Sequence, residues 1–349
     1  MKDKTGRIHL KNLSLGELES FVSSLGEKPF RATQLAKWLY GRGARHFAAM
    51  TNLARPFRQK LEERAWISFF EPAEVKTSSD GTKKYRFRLG DGLNIESVLL
   101  TEKNHLTLCL STQVGCALGC KFCLTGKRGW VRDLDSSEII DQVIGVRATL
   151  SPEAKITNLV LMGMGEPLEN LANVVRALDI IRSPDGLNFS HRRVTLSTAG
   201  IIPRMEELAI RRHYVMLAVS LNASTDPQRS QLMPINRKYP LKDLLASCRK
   251  IPLANREKIT FEYVLIGGVN DSEEDGWRVT KLLSGLRAKI NLIPFNEHSG
   301  SPFKRPTDEA IQKFREILMA NRFTAMVRQS KGGDIQAACG QLGGGGKGL

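Results

Sequence analysis

Residues 115–123 read Gly-Cys-Ala-Leu-Gly-Cys-Lys-Phe-Cys, a C-x3-C-x2-C loop that places Cys116, Cys120 and Cys123 directly after the apolar run 106–110. A closed tetrahedral zinc site needs four ligands, and the loop contains no histidine or further cysteine as an obvious fourth. A 4Fe-4S cluster held by three thiolates instead leaves one iron open to a small molecule. The loop therefore predicts such a cluster, and a zinc knuckle completed by a distant residue is the alternative.

The spacing of the three cysteines resembles the signature of radical S-adenosylmethionine (SAM) enzymes. In that superfamily the open iron binds the amino and carboxylate groups of SAM. The resemblance implies that Cys116, Cys120 and Cys123 ligate a 4Fe-4S cluster and that SAM is the second cofactor.

The chain of 349 residues is strongly basic, with 52 Lys and Arg against 36 Asp and Glu and a net charge of +16. An excess of this size favours a polyanionic partner. No apolar run approaches the ~20 residues that cross a bilayer, so no membrane contact is expected. The polar first residues lack a signal-peptide pattern, and three of six cysteines lie within eight residues. Both features predict a reducing, cytoplasmic location.

Residues 1–72 predict a basic helical domain, since residues 1–70 carry 13 Lys and Arg against 6 Asp and Glu. Ser14 and Glu17 form a capping-box pattern ahead of an apolar stripe, and Pro56 suits the first turn of a later helix. A middle helix fits the apolar spacing of Ala32, Leu35, Ala36 and Leu39. The domain either contacts RNA or is a solvated helical cap, and the residues alone leave both interpretations open.

Residues 73–102 predict a small β-meander that links this domain to the rest of the chain. Two Asp-Gly pairs, at 80–81 and 91–92, bound the runs 84–89 and 93–100. These runs alternate or carry β-branched residues, as strands of a hairpin do.

Apolar runs and helical patterns alternate strictly through residues 103–332. Such alternation implies a parallel sheet with right-handed crossovers. Six βα units are too few to close an eight-fold barrel, so we predict an α/β fold with an open, partial (βα)6 barrel. The strand-like runs are 106–110, 159–162, 194–197, 215–221, 259–265 and 290–294, with a last one at 324–327. Helical patterns lie near 137–149, 170–182, 201–212, 241–250, 272–286 and 308–320.

Polar and glycine-rich motifs follow these strands at their carboxyl ends, the edge at which ligands of parallel α/β folds gather. Each motif alone is weak, because a glycine-rich turn after a strand is usually only a turn. Five on one rim predict a SAM pocket, with Glu166, Ser197 and Asn296 as partners for the ammonium, carboxylate and ribose groups. The motifs are the cysteine loop, Gly163-Met164-Gly165-Glu166-Pro167, Ser197-Thr198-Ala199-Gly200, Ser220-Leu221-Asn222 and Pro294-Phe295-Asn296.

Over essentially its whole length the chain resembles the RlmN family, the radical SAM methyltransferases that methylate carbon 2 of adenosine in 23S ribosomal RNA and transfer RNA. The resemblance rests on the basic helices, the meander, the cysteine loop with Cys109 seven residues before Cys116, and the motifs Gly-Met-Gly-Glu-Pro and Ser-Leu-Asn. It also rests on the stretch Asp-Ile-Gln-Ala-Ala-Cys-Gly-Gln-Leu at 334–342. It implies a partial barrel of the radical SAM type and a set of residues around SAM: Gly165, Glu166, Ser197, Ser220, Leu221, Asn222 and Asn296.

The resemblance further implies three catalytic residues, with Cys339 as methyl carrier, Cys109 as its resolving partner and Glu96 as base. Carbon 2 of adenine is electron-poor, so it requires a radical route. One SAM would methylate Cys339, and the radical from a second SAM would activate that S-methyl group. Glu96 would then remove the ring proton, and Cys109 would release the product by forming a disulfide with Cys339. Residues 333–349 are thus a catalytic segment, whose glycine run at 343–346 is expected to be a flexible tail.

The implied partners are 23S ribosomal RNA, transfer RNA and a low-potential electron donor of the flavodoxin or ferredoxin type, and a monomer is expected. Two other functions stay open. A Cfr-type enzyme methylates carbon 8 and is associated with Gly-Met-Gly-Glu-Ala, so Pro167 favours carbon 2. The other alternative is a non-catalytic RNA-binding protein with a structural metal. Outside the family pattern Cys109 would be a core thiol and Glu96 a solvated strand residue, and Cys248 is interpreted as structural.

Overall fold

A computed structural model describes residues 5–102, 105–211, 215–299 and 301–343. Residues 344–346 of the expected glycine tail lie outside the described residues. Within this part of the chain, no helix combines the length and the apolar character needed to cross a bilayer.

The N-terminal region folds into the three helices that the sequence predicts. Helix α1 begins after Ser14, whose side chain accepts a hydrogen bond from Glu17 N, while Glu17 returns one to Ser14 N, so the capping box is confirmed. Helix α2 continues as one wider π turn that buries Leu39. Two short strands, β1 and β2, pair in parallel and close the region. The bounds are β1 Ile8–His9, α1 Leu15–Ser24, α2 Phe30–Ala36, α3 Arg55–Arg64 and β2 Ala65–Trp66.

The meander forms, but it is part of the main sheet. Strands β3 Pro72–Thr77, β4 Lys83–Arg88 and β5 Asn94–Glu102 pair antiparallel in sequence order. The two Asp-Gly turns are present, with positive φ at Gly81 and Gly92. Strand β5 then pairs antiparallel with the first strand of the parallel core. Residues 73–102 therefore extend the sheet of the barrel as its antiparallel end.

Seven parallel strands form the core of the described chain, and all seven predicted runs are confirmed. Their order in the ten-stranded sheet is β14-β13-β12-β11-β10-β9-β6, followed by β5-β4-β3, so the sheet is open, with β14 and β3 as its edges. The strands are β6 His105–Cys109, β9 Ile156–Leu161, β10 Val194–Thr198, β11 Met216–Ser220, β12 Ile259–Leu265, β13 Ala288–Pro294 and β14 Thr324–Val327.

Each predicted crossover helix is present, and the strands bury one apolar side chain after another along the sheet. Fully buried examples are Leu108, Leu159, Leu196, Val219, Phe261 and Ile290. This continuous apolar character is typical of parallel strands covered by helices. The helices are α5 Ser136–Arg147, α6 Leu171–Arg182, α7 Ile202–Ile210, α9 Leu241–Lys250, α10 Glu273–Leu283 and α11 Asp308–Ala320.

Three features of the fold are not predicted by the sequence patterns. A hairpin of β7 Gln113–Gly115 and β8 Trp130–Asp133 flanks the cysteine loop, and the short helix α4 Leu124–Arg128 lies between its strands. Helix α8 Asp226–Leu232 follows β11. All three lie at the carboxyl edge of the parallel strands.

A buried ion pair fixes the N-terminal helices to the barrel. Lys11 Nζ lies 2.6 Å from Asp141 Oδ1 on α5, and neither side chain is exposed to solvent. Lys11 also donates to the Ser68 carbonyl at 2.7 Å, and the Ser68 hydroxyl donates to Asp141. Burial raises the pKa of Asp141, and the Lys11 ammonium opposes that rise. A buried carboxylate is tolerated only with such partners, so the two units are held in one arrangement.

We expect Lys11→Met to lower the free energy of unfolding by about 3–5 kcal/mol, because it leaves Asp141 as a buried charge without its cation. Urea unfolding monitored by circular dichroism measures the loss. The double variant with Asp141→Asn should recover much of it. Lys60→Met, which breaks a partly exposed ion pair with Glu27 in the same region, should cost about 1 kcal/mol. Equal losses for Lys11→Met and Lys60→Met would contradict the buried pair as the fixing contact.

Candidate active site

The loops after β6 and β9 approach each other so closely that glycine is required between them. Leu110 N donates to Val160 O, and Gly163 N donates to Leu110 O, both at 2.9 Å. A Cβ on Gly163 would lie 2.7 Å from the Leu110 carbonyl, and a Cβ on Gly165, whose φ is +102°, would lie 2.6 Å from Gln113 Cβ. The predicted glycine motif therefore joins the strand that leads into the cysteine loop to its neighbour.

The cysteine loop is anchored at both ends and at its centre by backbone hydrogen bonds. Cys116 N donates to the Gly129 carbonyl at 2.9 Å, which ties the loop to the β7–β8 hairpin. Lys121 N donates to Leu232 O at the end of α8, and Leu124 N donates to Gly340 O in the C-terminal segment. The loop is thus fixed by elements from three parts of the chain.

The three thiols of this loop influence one another electrostatically. Burial raises the pKa of Cys116 to about 12, with smaller contributions from the charges of Glu166 and Cys123. Burial and the charges of Cys123 and Cys116 raise the pKa of Cys120 well above its usual value. Three neighbouring thiolates are costly unless a cation offsets their repulsion, as a bound iron–sulfur core does.

The described side chains do not form a site for a single metal ion. Among the described residues, no three His, Cys, Asp or Glu side chains converge on one point as ligands of a single metal ion do. The thiolates of an iron–sulfur cluster bind different irons, so they surround the cluster without converging. Cys116, Cys120 and Cys123 would hold such a group, and a single-ion zinc knuckle has no support in the geometry.

Glu166 joins two of the predicted rim loops with a buried carboxylate. Its Oε2 accepts from Ala199 N at 2.8 Å, and its Oε1 accepts from Leu168 N at 3.0 Å. Its own N–H donates to Gln113 Oε1 at 2.8 Å. Burial raises the pKa of Glu166 to about 7, although the Ala199 and Leu168 N–H groups favour the ionised form. A cationic ligand beside this carboxyl would favour its ionisation further.

Arg229 likewise holds two rim loops together, but with a basic side chain. No sequence pattern predicts this role. Its side chain is completely buried on α8. It donates to the carbonyls of Ala199, Ser220 and Leu221 at 2.8–3.0 Å, and to Asn236 Oδ1 at 3.0 Å. Two rim loops are therefore held by one guanidinium. Burial lowers its pKa to about 10, and the nearby Cys120 thiolate opposes that shift.

The other predicted rim residues take different positions. Asn222 is 2 % exposed. Its Oδ1 accepts a hydrogen bond from Val264 N at 2.8 Å, and its Nδ2 donates to Met233 Sδ at 3.3 Å. Leu221 is fully buried, whereas Ser197 and Ser220 are half-buried at the ends of β10 and β11. Asn296 contacts the C-terminal segment, because its Nδ2 donates to the Cys339 carbonyl at 3.1 Å.

A cavity of about 620 Å³ opens beside the cysteine loop. This is the size of a pocket for a small ligand. Cys109, Cys123, Asn296 and Cys339 all line it, so the structure brings together four predicted residues from distant positions. The remaining predicted residues, among them Glu96 and Glu166, are not part of its wall. Sequence reasoning missed Glu262 and Arg328, which line the same cavity and belong to no recognisable motif, and Phe122, which lies inside the cysteine loop.

Cys109 and Cys339 face this cavity as free thiols. Cys339 is exposed to the cavity and Cys109 is half-buried. The surrounding protein limits hydration and raises the pKa of each thiol to about 12, and a charge on Cys339 raises that of Cys109. All six cysteines are free, so the disulfide that the resemblance implies is not present in this structure. Cys248 is buried in α9, away from the cavity.

Cys339 is carried by residues 331–343, here termed the C-terminal strap. One end of the strap is fixed to the meander, where Asp334 accepts from Ser78 Oγ at 2.6 Å. The other end is fixed beside the cysteine loop, where Thr125 Oγ1 donates to Leu342 O at 2.8 Å. Gly343 N donates to Glu96 Oε2 at 2.6 Å, and Lys84 Nζ lies 3.5 Å from Glu96 Oε1. Glu96 is therefore buried beneath the strap.

Known proteins resemble this chain over nearly its full length. Residues 8–67 match the family described as the ribosomal RNA large subunit methyltransferase N-terminal domain, and residues 110–276 match the radical SAM superfamily. A dual-specificity RNA methyltransferase RlmN from Geotalea uraniireducens is 52% identical and covers 96% of each chain. The protein of the same name from Geobacter sulfurreducens is 53% identical over 96% of this chain and 92% of its own. A radical SAM methyltransferase crystal structure from Sphaerobacter thermophilus superposes with a TM-score of 0.91 at 42% identity, covering 96% of this chain and 99% of that one.

The raised pKa of Glu166 predicts a pH dependence of stability. The folded protein keeps this proton up to about pH 7, whereas an unfolded glutamate loses it near its ordinary value of 4.5. Between these values the folded state binds more protons, so this group lowers the free energy of unfolding as pH rises, by about 3 kcal/mol in total. Urea unfolding of the cluster-free protein at pH 5, 6, 7 and 8 measures it against Glu166→Gln. The stability of the variant relative to wild type should increase over this range, and a constant difference would contradict the raised pKa.

Proposed function

This chain belongs to the RlmN family of radical SAM methyltransferases, and we propose on that basis that it methylates carbon 2 of adenosine in 23S ribosomal RNA and in transfer RNA. The observation that carries the proposal is the common cavity of Cys109, Cys123 and Cys339. A methyl carrier, its resolving thiol and a cluster ligand must meet at one place for a transfer through S-methylcysteine. Cys109 and Cys339 are 230 positions apart in the sequence, so chance proximity has little weight.

Cys339 is the residue that receives the methyl group in this proposal. Its thiol is exposed to the cavity, and its raised pKa means that it must lose a proton when SAM binds. The positive sulfonium of SAM favours the thiolate by direct attraction, and Arg328 on the cavity wall acts in the same direction. The thiolate then displaces the methyl group from the sulfonium.

The cluster supplies one chemical capability when it is bound, the reductive cleavage of a second SAM to a radical that activates the S-methyl group. The side chains then complete the reaction. Cys109 lines the same cavity as Cys339 and attacks its sulfur to release the methylated base, leaving a disulfide that a reductant must open. Glu96 is the proposed base for the ring proton. Gly343 N donates to one of its oxygens at 2.6 Å, so the end of the strap directly contacts the proposed base.

We assign the remaining roles in the same way. The helical domain of residues 1–72 binds RNA, residues 103–332 hold the cluster and SAM, and residues 333–349 carry the methyl group. Gly165, Glu166, Ser197, Ser220, Leu221, Asn222 and Asn296 surround SAM, partly through their backbone groups. A flavodoxin- or ferredoxin-like protein supplies electrons, and the enzyme acts as a cytoplasmic monomer.

The mechanism gives the two cavity cysteines different phenotypes. In Cys109→Ala, the methyl group still loads and adds to adenine, but nothing resolves the thioether, so a covalent protein–RNA adduct should accumulate. Cys339→Ala should form neither adduct nor product. Denaturing gels with nuclease treatment detect the adduct, and mass spectrometry against standards distinguishes 2-methyladenosine from 8-methyladenosine.

Cys248→Ala is the matched control, since this thiol lies outside the cavity and should leave turnover intact. Methylation of RNA by Cys339→Ala would refute the methyl-cysteine scheme. Formation of 8-methyladenosine by the wild-type protein would move the reaction to the other carbon.

Exposed cations of the helical domain should contribute phosphate contacts. Lys28 and Arg55 are both exposed. If each neutralises one phosphate, replacing both by alanine should lower the slope of log affinity against log salt by about 1.4–1.8. Fluorescence anisotropy of a labelled RNA at several salt concentrations measures this slope. The control is the pair Lys250→Ala and Lys313→Ala on outer helices α9 and α11. Equal effects of the two pairs on the slope would contradict RNA binding by the helical domain and favour its interpretation as a helical cap.

A further inference from the structure

The β7–β8 hairpin presents an exposed aromatic side chain next to the cysteine loop. Trp130 is 52% exposed and Val131 is 37% exposed. Tryptophan is a large apolar residue whose burial is strongly favourable, so an indole left half-exposed beside this loop is available to stack on a ligand. The family motifs discussed above do not include it.

Hydrogen bonds hold the indole in one orientation. Trp130 Nε1 donates to Asp133 Oδ1 at 3.2 Å, and Gln113 Nε2 donates to the same oxygen at 2.8 Å. Gln113 Oε1 in turn accepts from Glu166 N. The polar edge of the indole is therefore connected through two side chains to the glycine motif after β9. A ring that is oriented in advance loses little entropy when a flat ligand stacks on it.

The indole lies at the edge of the proposed cluster site. The Gly129 carbonyl, one residue before Trp130, accepts the hydrogen bond of Cys116 N at 2.9 Å. A Cβ on Gly115 would lie 1.9 Å from that carbonyl oxygen and 3.3 Å from Trp130 Cα, so hairpin and loop are in direct contact. Cys123 and Thr125, which lie between β7 and β8 in the sequence, line the cavity. The surface around Trp130 is thus continuous with the loop that bounds the cavity.

The exposed residues around this indole are basic. Residues 116–132 contain four Lys or Arg and no Asp or Glu. Arg132 forms ion pairs with Asp91 and Glu138. Lys121, Lys127 and Arg128 are exposed on the surface. Cations interleaved with an aromatic ring are typical of surfaces that bind single-stranded nucleic acid, where phosphates meet the cations and a base stacks on the ring.

We propose that Lys121, Lys127, Arg128, Trp130 and Val131, here termed the rim patch, bind RNA, with Trp130 stacking on an unpaired base next to the reacting adenosine. The inference rests on the proposed function, because it assigns the patch to the substrate of that reaction. It adds a second RNA contact on the barrel itself. RNA anchored by the helical domain would then be held at the cavity by a sequence-tolerant stack, which suits an enzyme acting on more than one RNA.

An acidic electron-donor protein is the competing occupant, since it would also approach a basic surface near the cluster. The oriented indole favours RNA, because charge complementarity to a donor requires the cations but not a pinned aromatic ring. The two occupants are separated by measuring RNA affinity without any donor present.

The test compares Trp130→Ala and Trp130→Phe with Trp277→Ala, in cluster-loaded full-length protein. Trp277 is 48% exposed on the outer helix α10 and serves as the matched control. The probe is a fluorescein-labelled stem–loop RNA with an unpaired adenosine in its loop, measured by anisotropy. Trp130→Ala should raise the Kd by about 5- to 150-fold, the effect of losing one base–aromatic stack. Trp130→Phe should stay near wild type, and so should Trp277→Ala.

Salt dependence separates the stack from the charges. Trp130→Ala should leave the slope of log affinity against log salt unchanged, because no phosphate contact is lost. Lys127→Ala with Arg128→Ala should lower that slope by about 1.4–1.8. Iron content and SAM binding should match wild type in every variant, so that a weaker Kd reports the RNA contact alone.

A Trp130→Ala protein that binds the stem–loop as tightly as wild type would overturn the inference. Slower turnover with a flavodoxin donor at unchanged RNA affinity would also overturn it and assign the patch to the donor. The proposed function fails separately, if the wild-type protein binds the stem–loop but leaves its adenosines unmethylated; the stacking contact would remain measurable in that case.

Discussion

The close approach of the loops after β6 and β9 is the contact on which the rest of the site depends. The two strands pair in parallel, and the hydrogen bond from Gly163 N to Leu110 O continues the pairing beyond them. This approach puts Cys109, the cysteine loop and the glycine motif on one edge of the sheet. A side chain at Gly163 would meet the Leu110 backbone at 2.7 Å, so the arrangement admits no larger residue there. The positions of Cys109 and of the cysteine loop therefore depend on the absence of a side chain at Gly163.

Two buried ionisable side chains, one acidic and one basic, then hold the neighbouring loops. Glu166 collects backbone N–H groups from the loops after β9 and β10, and Arg229 collects carbonyls from the loops after β10 and β11. Both would be costly without these partners, because a buried charge needs several hydrogen bonds to offset its lost hydration. Ala199 is bound by both, through its N–H and its carbonyl. The residues that fix these loops therefore also impose an electrostatic cost that is lowest when all the loops are in place.

The sequence predicts the strands and helices well and the contacts between distant residues poorly. All seven parallel strands follow from their apolar runs, because apolar runs that alternate with helical patterns are the strongest signal in the chain. The β7–β8 hairpin is missed because its strands have three and four residues and β8 is largely exposed. Arg229 is missed because its function depends on carbonyls that folding brings together. The contact of Glu96 with Gly343 spans 247 positions, and no local pattern predicts it.

The C-terminal strap carries the proposed methyl carrier, Cys339, and contacts the proposed base, Glu96. It presents Cys339 to the cavity, and at the same time Gly343 N covers an oxygen of Glu96, the proposed base. Lys84 contacts both partners, since its ammonium donates to the Gln336 carbonyl of the strap and lies 3.5 Å from Glu96. The strap is also held beside Cys339, whose carbonyl accepts a hydrogen bond from Asn296 Nδ2 at 3.1 Å. The proposed methyl carrier and the proposed base are thus both held by contacts of the 13 residues from Lys331 to Gly343.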